Sequence, residues 1–583
     1  MRKTKIICTL GPASCDDEIL REMMLSGMNV ARFNFSHSTQ PEHKARYEQI
    51  DRLRRELNLP IATLLDTKGP EIRIGLIEGD RVHLDKGDEL ILTTEDVLGT
   101  KEKISITYKR LPDDITDGCR ILIDDGLIEM RVVSHTSTEI TCRVLNGGFV
   151  SNRKGINVPG VKLSMPYISA QDKSDIEFGA QVGFDFVAAS FTRTAEDIEQ
   201  VRAILSNTPN PNIRIIAKIE NAEGVQNIDE ILRVADGVMV ARGDMGVEVP
   251  FEDIPVLQKM IIKKGYNAGK QVITATQMLD SMIKNPRPTR AETTDVANAI
   301  YDGTSAIMLS GETAAGLYPV EALKTMASIA ERTEADIDYE RRFRTREMNE
   351  ASNVTNAISH ATVTTAMDLR AKAILTVTKT GQTARMISKY RPKCPIISGT
   401  TSEMVWRQMN LSWGVAPILI EEQHSNDALF DHAVDRAHEA GLVQDGDLVV
   451  ITAGVPLGIS GTTNMMKVHI VGDILITGNG VAGQSVSGPL CVCENEEQAK
   501  KNCKKGDILV IPKTSNGLLE VLKDCAGFIT EQDGINSHAA IVGLALGKPV
   551  LVGAKGASTV LRSGTIVTVD AERGIVCNIG NRK

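Results

Sequence analysis

The chain of 583 residues carries 66 lysine and arginine residues against 75 aspartate and glutamate residues, a formal net charge of −9. At roughly 150 residues per domain, this length suggests about four domains, and 42% apolar with 24% charged residues is typical of a folded, soluble protein. The acidic balance argues against a nucleic-acid-binding surface, and no apolar run approaches the ~20 residues of a membrane helix. The apolar stretch near the first residue is too short for a signal peptide, so we expect a cytoplasmic protein that binds neither nucleic acid nor membrane.

The first two thirds of the chain alternate short β-branched runs with amphipathic helical stretches. Alternation at this spacing predicts βα units around a parallel sheet, and eight units favour a (β/α)8 barrel. A doubly wound sheet is the alternative on periodicity alone. The predicted strands are Lys5–Thr9, Asn29–Phe35, Ile61–Asp66, Phe184–Ser190, Ile213–Ile219, Gly237–Ala241, Gln271–Ala275 and Ser305–Ser310.

Polar side chains follow most of these runs, which favours the barrel because barrel active sites lie at the carboxyl ends of the strands. Helix capping alone would explain two or three of them but hardly all. The pairs are Asn34 and Ser36, Asp66 and Thr67, Lys218 and Glu220, Arg242 and Asp244, Thr276 and Gln277, and Ser310 and Glu312.

Three other regions complete the predicted organisation. Residues 71–167 alternate with β periodicity and turns, which indicates a β-rich lid inserted into the barrel (1–70 and 168–340). Residues 341–472 return to βαβ patterning as a second α/β domain. The glycine-rich stretch 477–484 is interpreted as a linker in a last domain of residues 473–583.

The fifth predicted strand carries the first chemical signal. Strand alternation places Lys218 and Glu220 on one face, where they could form a structural ion pair or serve a site. Asp244 ends the next strand, and two carboxylates beside a lysine suit a hard divalent cation that keeps water or phosphate ligands. Backbone N–H groups at Gly243 and Asp244 could hold a substrate carboxylate, and Thr276 adds a hydroxyl.

On the other side of the barrel, Arg32 and Arg73 offer guanidinium groups that match phosphate oxygens. Oxygen donors with one formal charge, which suit a monovalent cation, are Asn34, Ser36, Asp66 and Thr67. Lysine, arginines and cations around one pocket indicate phosphoryl transfer, in which catalysis is positioning plus charge neutralisation.

Long motifs in a fixed order then identify a resemblance that covers residues 1 to about 470. The chain resembles the pyruvate kinase family in NFSH, LLDTKGPEIR, KGINVPG, IIAKIENAEGV, MVARGDMGVE, TATQML, RPTRAETTDVANAI and IMLSGETAAG. The resemblance implies a barrel, a β-rich lid, an α/β domain with an effector site, and a homotetramer. It also implies transfer of the phosphoryl group of phosphoenolpyruvate to ADP.

The resemblance further implies a role for each matching residue. Lys218 would neutralise the phosphoryl group in flight and the enolate, Glu220 and Asp244 would bind Mg²⁺ or Mn²⁺, and Gly243, Asp244 and Thr276 would hold the substrate carboxylate. Arg32 and Arg73 would bind phosphate, and Lys154 and Asp124 in the lid would meet ADP. Thr276 and Ser310 would lie on the route that protonates the enolate. The implied potassium ligands are Asn34, Ser36, Asp66 and Thr67, and Glu71 matches potassium-dependent members.

Two positions depart from the family pattern. Ser38 stands where the family usually has glycine, which puts the local backbone freedom in doubt. Ala315 stands where many members carry a lysine near the nucleotide, so that position has no assigned role.

The α/β domain carries a loop at which the resemblance implies an effector phosphate, from AMP, ribose 5-phosphate or another sugar phosphate. Its residues, which on their own would read as ordinary helix capping, are Thr378, Lys379, Thr380, Gly381, Gln382 and Thr383. Residues 454–458 resemble a second effector loop.

The last domain resembles the phosphohistidine domain of phosphoenolpyruvate-utilising enzymes around His538, the residue phosphorylated in that family. Because the chain lacks the nucleotide-binding domain that would charge this histidine, we expect a structural or regulatory appendage. A phosphotransfer relay through His538 and a catalytically silent sensor of phosphoenolpyruvate and sugar phosphate are the rival functions.

The ten cysteines are scattered. Cys491 and Cys493 form a Cys-x-Cys pair and Cys503 follows ten residues later, but no second pair or histidine completes a zinc-binding spacing. We therefore expect reduced, mostly buried thiols.

Overall fold

A computed structural model of the chain describes residues 1–345, 353–454, 463–481 and 485–578. The chain divides into two compact units. The first comprises residues 1–347, 380–391 and 402–417, and the second comprises 348–379, 392–401 and 418–583. In the described ranges, no helix combines the length and apolarity needed to cross a membrane.

The first unit contains a closed barrel of eight parallel strands, which confirms the predicted fold class. Neighbouring strands follow chain order, and the last strand pairs with the first, as Lys5 opposite Ala306 shows. The strands are Lys5–Thr9, Val30–Asn34, Ala62–Asp66, Phe186–Ala189, Arg214–Ile219, Gly237–Ala241, Gln271–Ala275 and Ala306–Leu309.

Helices begin where the sequence supplies caps. Ser169, Thr194 and Thr289 each form a capping box with an acidic residue three positions on, which satisfies backbone N–H groups at the helix start. The main barrel helices are Asp17–Leu25, Gln40–Glu56, Ala170–Val182, Ala195–Ser206, Ile228–Val234, Ile254–Asn267, Arg290–Asp302 and Pro319–Asp336. Helices Gln382–Lys389 and Glu403–Met409 also belong to the first unit.

Two apolar layers hold the barrel. Side chains such as Ile7, Leu64 and Ile216 fill its interior, whereas alternate side chains such as Ile6 and Ile215 pack against the helices. The strands are therefore buried on both faces, which explains their continuous apolar runs. The barrel interior is filled with side chains, so the chemistry lies at its rim, defined here as the carboxyl ends of the eight strands.

The insertion between the third and fourth barrel strands is the predicted β-rich lid, with a core of its own around Leu90, Ile121 and Met130. Antiparallel pairing dominates its sheets. Its strands are Ile72–Arg73, Arg81–Leu84, Glu89–Thr93, Lys103–Ser105, Arg120–Ile123, Ile128–His135, Glu139–Val144, Gly148–Ser151 and Gly155–Asn157.

The second unit begins with α/β structure, as predicted. Parallel strands Ile396–Thr400, Ala373–Val377 and Leu448–Ala453 lie side by side, and Met465–Ile470 is added antiparallel. Helices Val354–Asp368 and Asn426–Glu439 belong to this part of the chain, and the boundary with the first unit falls within strand Val415–Leu419.

The last part of the chain forms an eight-stranded mixed sheet. The stretch interpreted as a linker instead contributes edge strand Asn479–Val481, because this segment finds an open antiparallel edge at Val550–Val552. Residues 482–484 lie outside the described ranges. In spatial order the strands are Asp473–Thr477, Ile575–Asn578, Ile566–Asp570, Ser485–Val492, Ile508–Ile511, Gly527–Thr530, Val550–Val552 and Asn479–Val481, with helices Glu496–Asn502, Leu519–Asp524 and His538–Leu546 between them.

Candidate active site

The register of the barrel brings the predicted rim residues together. Asn34 at the end of the second strand lies opposite Asp66 at the end of the third, and Asp66 lies opposite Ala188 of the fourth. Lys218 follows on the fifth strand, and Arg242, Thr276 and Ser310 come directly after the last three strands. Parallel strands share one end, so residues far apart in sequence meet there.

Lys218 is the centre of a buried polar network. Its Nζ lies 2.9 Å from Asp66 Oδ1 and 3.1 Å from Glu220 Oε1, and it donates a 2.9 Å hydrogen bond to Ser190 Oγ. Burial disfavours the ammonium, but the charges of Asp66 and Glu220 outweigh it and raise the pKa of Lys218 above its ordinary value. The lysine is therefore a fixed positive charge at the rim.

Glu220 has the properties of a cation ligand. Its Oε2 accepts a 2.6 Å hydrogen bond from the N–H of Phe191, whereas its buried Oε1 has the Lys218 ion pair but no hydrogen bond among the described residues. Burial and then the nearby charge of Asp244 raise the pKa of Glu220 to about 7, against the opposing effect of Lys218. A buried carboxylate with an oxygen that accepts no hydrogen bond, beside a second carboxylate, fits a hard divalent ion.

The oxygen set predicted to bind potassium is assembled in the second and third strands. Asn34 Oδ1 accepts a 3.1 Å hydrogen bond from the N–H of Ser36, and the carbonyl of Thr67 accepts one of 2.6 Å from Ser190 Oγ. Asp66 is already paired, through Oδ2 with Arg32 at 2.6 Å and through Oδ1 with Lys218. Its charge is therefore compensated, and the set fits a weakly charged monovalent ion better than a divalent one.

The carboxylate cradle, defined as Gly243, Asp244 and Thr276, is held by an unusual turn. Thr276 Oγ1 accepts a 2.8 Å hydrogen bond from the N–H of Gly243. Thr276 and Gln277 have φ of 68° and 52°, in the left-handed region of backbone conformation that residues other than glycine rarely adopt. Arg242 holds this turn, since its Nη2 donates to the Thr276 carbonyl at 2.7 Å. Strained backbone of this kind is concentrated at functional sites.

Ser310 follows the eighth strand with a buried hydroxyl. Its N–H donates a 2.7 Å hydrogen bond to Glu312 Oε2, but its Oγ has no hydrogen-bond partner within the described residues. A buried hydroxyl without a partner costs roughly 1–3 kcal/mol, so this one calls for a functional explanation.

The lid residues form exchangeable ion pairs. Arg73 pairs with Glu71 at 2.7 Å, and Lys154 pairs with Asp124 at 2.8 Å. Both cations are more than a third exposed. The lid also contacts the barrel directly, because Asn157 donates a 2.9 Å hydrogen bond to Glu248 Oε1.

Three polar residues of the site were not selected from the sequence. Ser190 bridges Lys218, Asp66 and the Thr67 carbonyl. Its position at the end of the fourth predicted strand could have indicated that it belongs to the rim. Asp125 lies near enough to Asp244 for that charge, after burial, to raise its pKa, and it is the direct neighbour of Asp124. Glu248 gave no signal, because one helical turn past Asp244 is an ordinary place for a surface carboxylate.

The predicted effector loop crosses the boundary between the two units after Lys379. Thr378 is buried and its N–H donates to the Gly399 carbonyl at 3.0 Å, while Lys379 is exposed. Thr380 accepts a hydrogen bond from Arg214 through its carbonyl, and Gly381, with φ of 74°, precedes the helix that begins at Gln382 and includes Thr383. Of the second loop, residues 455–458 lie outside the described ranges.

The departure from the family pattern at Ser38 coincides with an uncommon backbone conformation. Ser38 has φ of 67°, so serine occupies a backbone position that favours glycine.

His538 begins helix His538–Leu546, and its two ring nitrogens lie 2.9 Å from Thr514 Oγ1 and Asn516 Oδ1. Both nitrogens are thus engaged by neutral groups.

Comparison with known proteins agrees with the fold. Residues 1–323 match the pyruvate kinase barrel domain, 356–469 the pyruvate kinase alpha/beta domain, and 503–574 the mobile domain of PEP-utilising enzymes. Pyruvate kinase of Geobacillus stearothermophilus is 50% identical over 577 residues, which cover 99% of this chain and 98% of the relative. That of Sporosarcina psychrophila is 48% identical over 580 residues, 99% of each chain.

A solved structure of pyruvate kinase from Cryptosporidium parvum has a TM-score of 0.77 and 40% identity, and covers 81% of this chain and 96% of the other. Barrel and rim together define a phosphotransferase built on a (β/α)8 barrel with a lid. The chain belongs to the pyruvate kinase family. The predicted family, fold class, pyruvate kinase activity in glycolysis and phosphotransferase class are confirmed.

Proposed function

We propose that the rim residues around Lys218 carry out transfer of the phosphoryl group from phosphoenolpyruvate to ADP, with Arg32, Arg73 and the carboxylate cradle positioning the substrate. The observation that carries this proposal is the buried Lys218 ammonium, fixed by Asp66, Glu220 and Ser190. A structural ion pair alone would need one carboxylate, whereas this arrangement holds a cation at the end of a barrel strand, where barrel chemistry occurs.

The substrate carboxylate would be held by the Thr276 hydroxyl and by N–H groups of Gly243 and Asp244. On binding, the Gly243 N–H would exchange Thr276 Oγ1, and the Thr276 hydroxyl would exchange the Ala275 carbonyl, for carboxylate oxygens. An added side chain at Gly243 would meet the Thr276 hydroxyl and methyl groups at 3.5–3.8 Å. Because Gly243 has no side chain, this volume beside Thr276 is left open to a ligand. In this position Lys218 would stabilise negative charge on the transferring phosphoryl group and on the enolate that remains.

Protonation of the enolate completes the reaction by forming the methyl group of pyruvate. We assign Thr276 and the unpartnered Ser310 hydroxyl to the proton route, since a hydroxyl without a fixed partner can both accept and donate a proton. The proton itself comes ultimately from solvent.

Arg73, Lys154 and Asp124 are proposed to meet ADP. The two cations would exchange their surface partners, Glu71 and Asp124, for phosphate oxygens. Exposed ion pairs are worth only about 0–1 kcal/mol, so a phosphate can replace the carboxylate at small cost.

Metal dependence is a general feature of the family, and the residues present fit it. Glu220 and Asp244 would hold Mg²⁺ or Mn²⁺, while Asn34, Ser36, Asp66 and Thr67 would hold K⁺. When bound, these ions neutralise phosphate charge and so help to orient the two substrates.

The experiment is steady-state ATP production from phosphoenolpyruvate and ADP with Mg²⁺, run with K⁺ and again with only Na⁺ or a tetraalkylammonium ion. Turnover that needs K⁺ is the expected result. Turnover independent of K⁺ would remove the potassium assignment and the interpretation of Glu71. Binding of phosphoenolpyruvate without turnover in any cation would overturn the catalytic proposal in favour of a sensor.

We also propose a cytoplasmic homotetramer regulated by a phosphorylated effector, AMP or a sugar phosphate, at the loop Thr378–Thr383. Support comes from the family, in which allosteric regulation is general, and from the helix that begins at Gln382, whose first N–H groups can bind phosphate. Titration with AMP and ribose 5-phosphate, with sedimentation as a measure of assembly, tests both statements.

A further inference from the structure

Four thiols of the last domain meet inside one core, although they are spread over 35 positions of sequence numbering from 491 to 525. The sulfur atoms of Cys491, Cys493 and Cys503 all lie within 4.8 Å of one another, and the first two are 3.6 Å apart. Cys525 is outside that group of three but is buried in the same core. We call these four residues the thiol cluster.

The fold explains the meeting. Cys491 lies on strand Ser485–Val492 and Cys493 directly follows it, so alternation turns both side chains to the same face of the sheet. Helices Glu496–Asn502 and Leu519–Asp524 cover that face, and each ends in a cysteine at its C-cap, Cys503 and Cys525 respectively. The end of the first helix therefore places the Cys503 thiol beside the pair on the strand, and the end of the second places Cys525 in the same core.

The cluster is shielded from solvent. Cys491, Cys493 and Cys525 are buried and Cys503 is half-buried, in a core that also contains Leu509, Leu522 and Phe528. The other buried cysteine of this domain, Cys577, lies on strand Ile575–Asn578 and is not one of the three grouped thiols.

From this geometry we infer that the thiol cluster is a structural Zn²⁺ site, with Cys491, Cys493 and Cys503 as ligands and Cys525 as the fourth. A tetrahedral zinc ion with Zn–S bonds of about 2.3 Å places its sulfur ligands roughly 3.8 Å apart. The 3.6 Å separation of Cys491 and Cys493 matches that edge, and the 4.8 Å limit places the Cys503 sulfur within about 1 Å of it. Cys525, in the same core, would complete the set. Sulfur is a soft ligand, so four thiolates bind Zn²⁺ in preference to hard ions such as the Mg²⁺ and K⁺ proposed for the barrel rim.

The spacing of the cysteines in the sequence does not predict this zinc site, because the usual zinc motifs place their ligands in two close pairs. Here only the first pair is close in sequence, and the third and fourth ligands come from the ends of two separate helices. Binding of one Zn²⁺ would release one proton from each thiol that it coordinates, leaving a site of net charge −2. Lys548 supplies nearby positive charge, since it donates hydrogen bonds to the Leu522, Lys523 and Cys525 carbonyls.

Metal content of the full chain tests the inference directly. The untagged protein is purified in reducing buffer without chelator, incubated with Zn²⁺ and freed of excess metal. Its zinc content is then measured by inductively coupled plasma mass spectrometry. We expect about one zinc ion per chain, a loss of at least about 90% of it in Cys491→Ser/Cys493→Ser, and no loss in the matched control Cys577→Ala. Zinc retained in the double variant, or less than a tenth of an ion in the unaltered chain, would overturn the site.

A second measurement protects the test from a variant that does not fold. The unaltered chain is loaded with Co²⁺, whose visible absorption bands distinguish tetrahedral thiolate coordination from octahedral oxygen coordination. Intense thiolate bands that Zn²⁺ abolishes are the expected result. Absence of these bands, or a disulfide within the cluster in the protein purified under reducing conditions, would contradict it. Phosphoenolpyruvate turnover in Mg²⁺ is expected to be equal in the unaltered chain and in Cys577→Ala.

Discussion

The barrel rim and the lid hold their charged residues in opposite ways. At the rim, Lys218, Asp66 and Glu220 are buried and linked by distances of 2.9–3.1 Å. In the lid, Arg73 and Lys154 each have one carboxylate partner and are 36–37% exposed. Breaking an ion pair at the rim would leave a buried charge without a partner, which is costly. The exposed cations of the lid can exchange their carboxylate partners for water or a ligand at small cost.

The difference suggests a division of labour. The rim is organised before substrate arrives, which suits electrostatic stabilisation of a transferring phosphoryl group. The lid carries cations that are available to a mobile nucleotide, which suits closure over a bound substrate. Substitutions at the rim should therefore reduce turnover most strongly, and substitutions in the lid should change the apparent affinity for ADP.

The largest effect is expected for Lys218→Met. Removal of the ammonium from the transferring phosphoryl group should lower kcat by about a thousandfold or more. Lys270→Met is the control, because Lys270 is a half-buried lysine at the opposite end of the barrel that donates to the Ala235 carbonyl at 2.6 Å. Steady-state ATP production measures both, and turnover of Lys218→Met within a few fold of the unaltered enzyme would refute the role.

A smaller effect is expected in the lid for Lys154→Gln. Loss of one phosphate-binding cation should raise the KM for ADP by about tenfold while changing kcat less. The matched control is Lys103→Gln, which removes a lid lysine paired with Glu139 at 2.6 Å. An unchanged KM for ADP in Lys154→Gln, or the same rise in both variants, would exclude a specific contact.

Ser310→Ala separates function from stability. Because the Ser310 hydroxyl has no hydrogen bond among the described residues, its removal should not destabilise the fold, yet it should slow enolate protonation by about tenfold. Ser305→Ala at the other end of the same strand should do the reverse, since Ser305 Oγ accepts a 3.1 Å hydrogen bond from the Val272 N–H. Thermal unfolding and the rate of pyruvate formation distinguish the two, and a destabilised Ser310→Ala with normal turnover would contradict the assignment.

The smallest effect concerns the departure at Ser38. Glycine adopts φ of 67° without strain, so Ser38→Gly should stabilise the fold by up to about 1 kcal/mol. Ser26→Gly is the opposite control, because Ser26 ends a helix at φ of −82°, where glycine is unfavourable. Apparent melting temperatures should move in opposite directions, and a lower melting temperature for Ser38→Gly would show that the serine side chain contributes more than the strain.

The sequence predicted the barrel well because its strands are buried on both faces and most polar rim residues lie at or just after the end of an apolar run. Strands Lys5–Thr9, Gly237–Ala241 and Gln271–Ala275 have the predicted bounds. Interactions that depend on distant parts of the chain were harder. The bridging role of Ser190, the left-handed turn at Thr276 and the meeting of four thiols from separate elements follow only from packing, which periodicity does not reveal.

The central claim is that Lys218 acts on the phosphoryl group while Glu220 holds the divalent ion, although the two side chains are only 3.1 Å apart. The direct test is titration of Lys218→Met and Glu220→Gln with Mn²⁺, followed by electron paramagnetic resonance. We predict that Lys218→Met binds Mn²⁺ at least as tightly as the unaltered chain, because Glu220 loses its competing cation, and that Glu220→Gln binds it at least about tenfold more weakly. Equal Mn²⁺ affinity in Glu220→Gln and the unaltered chain would contradict the account.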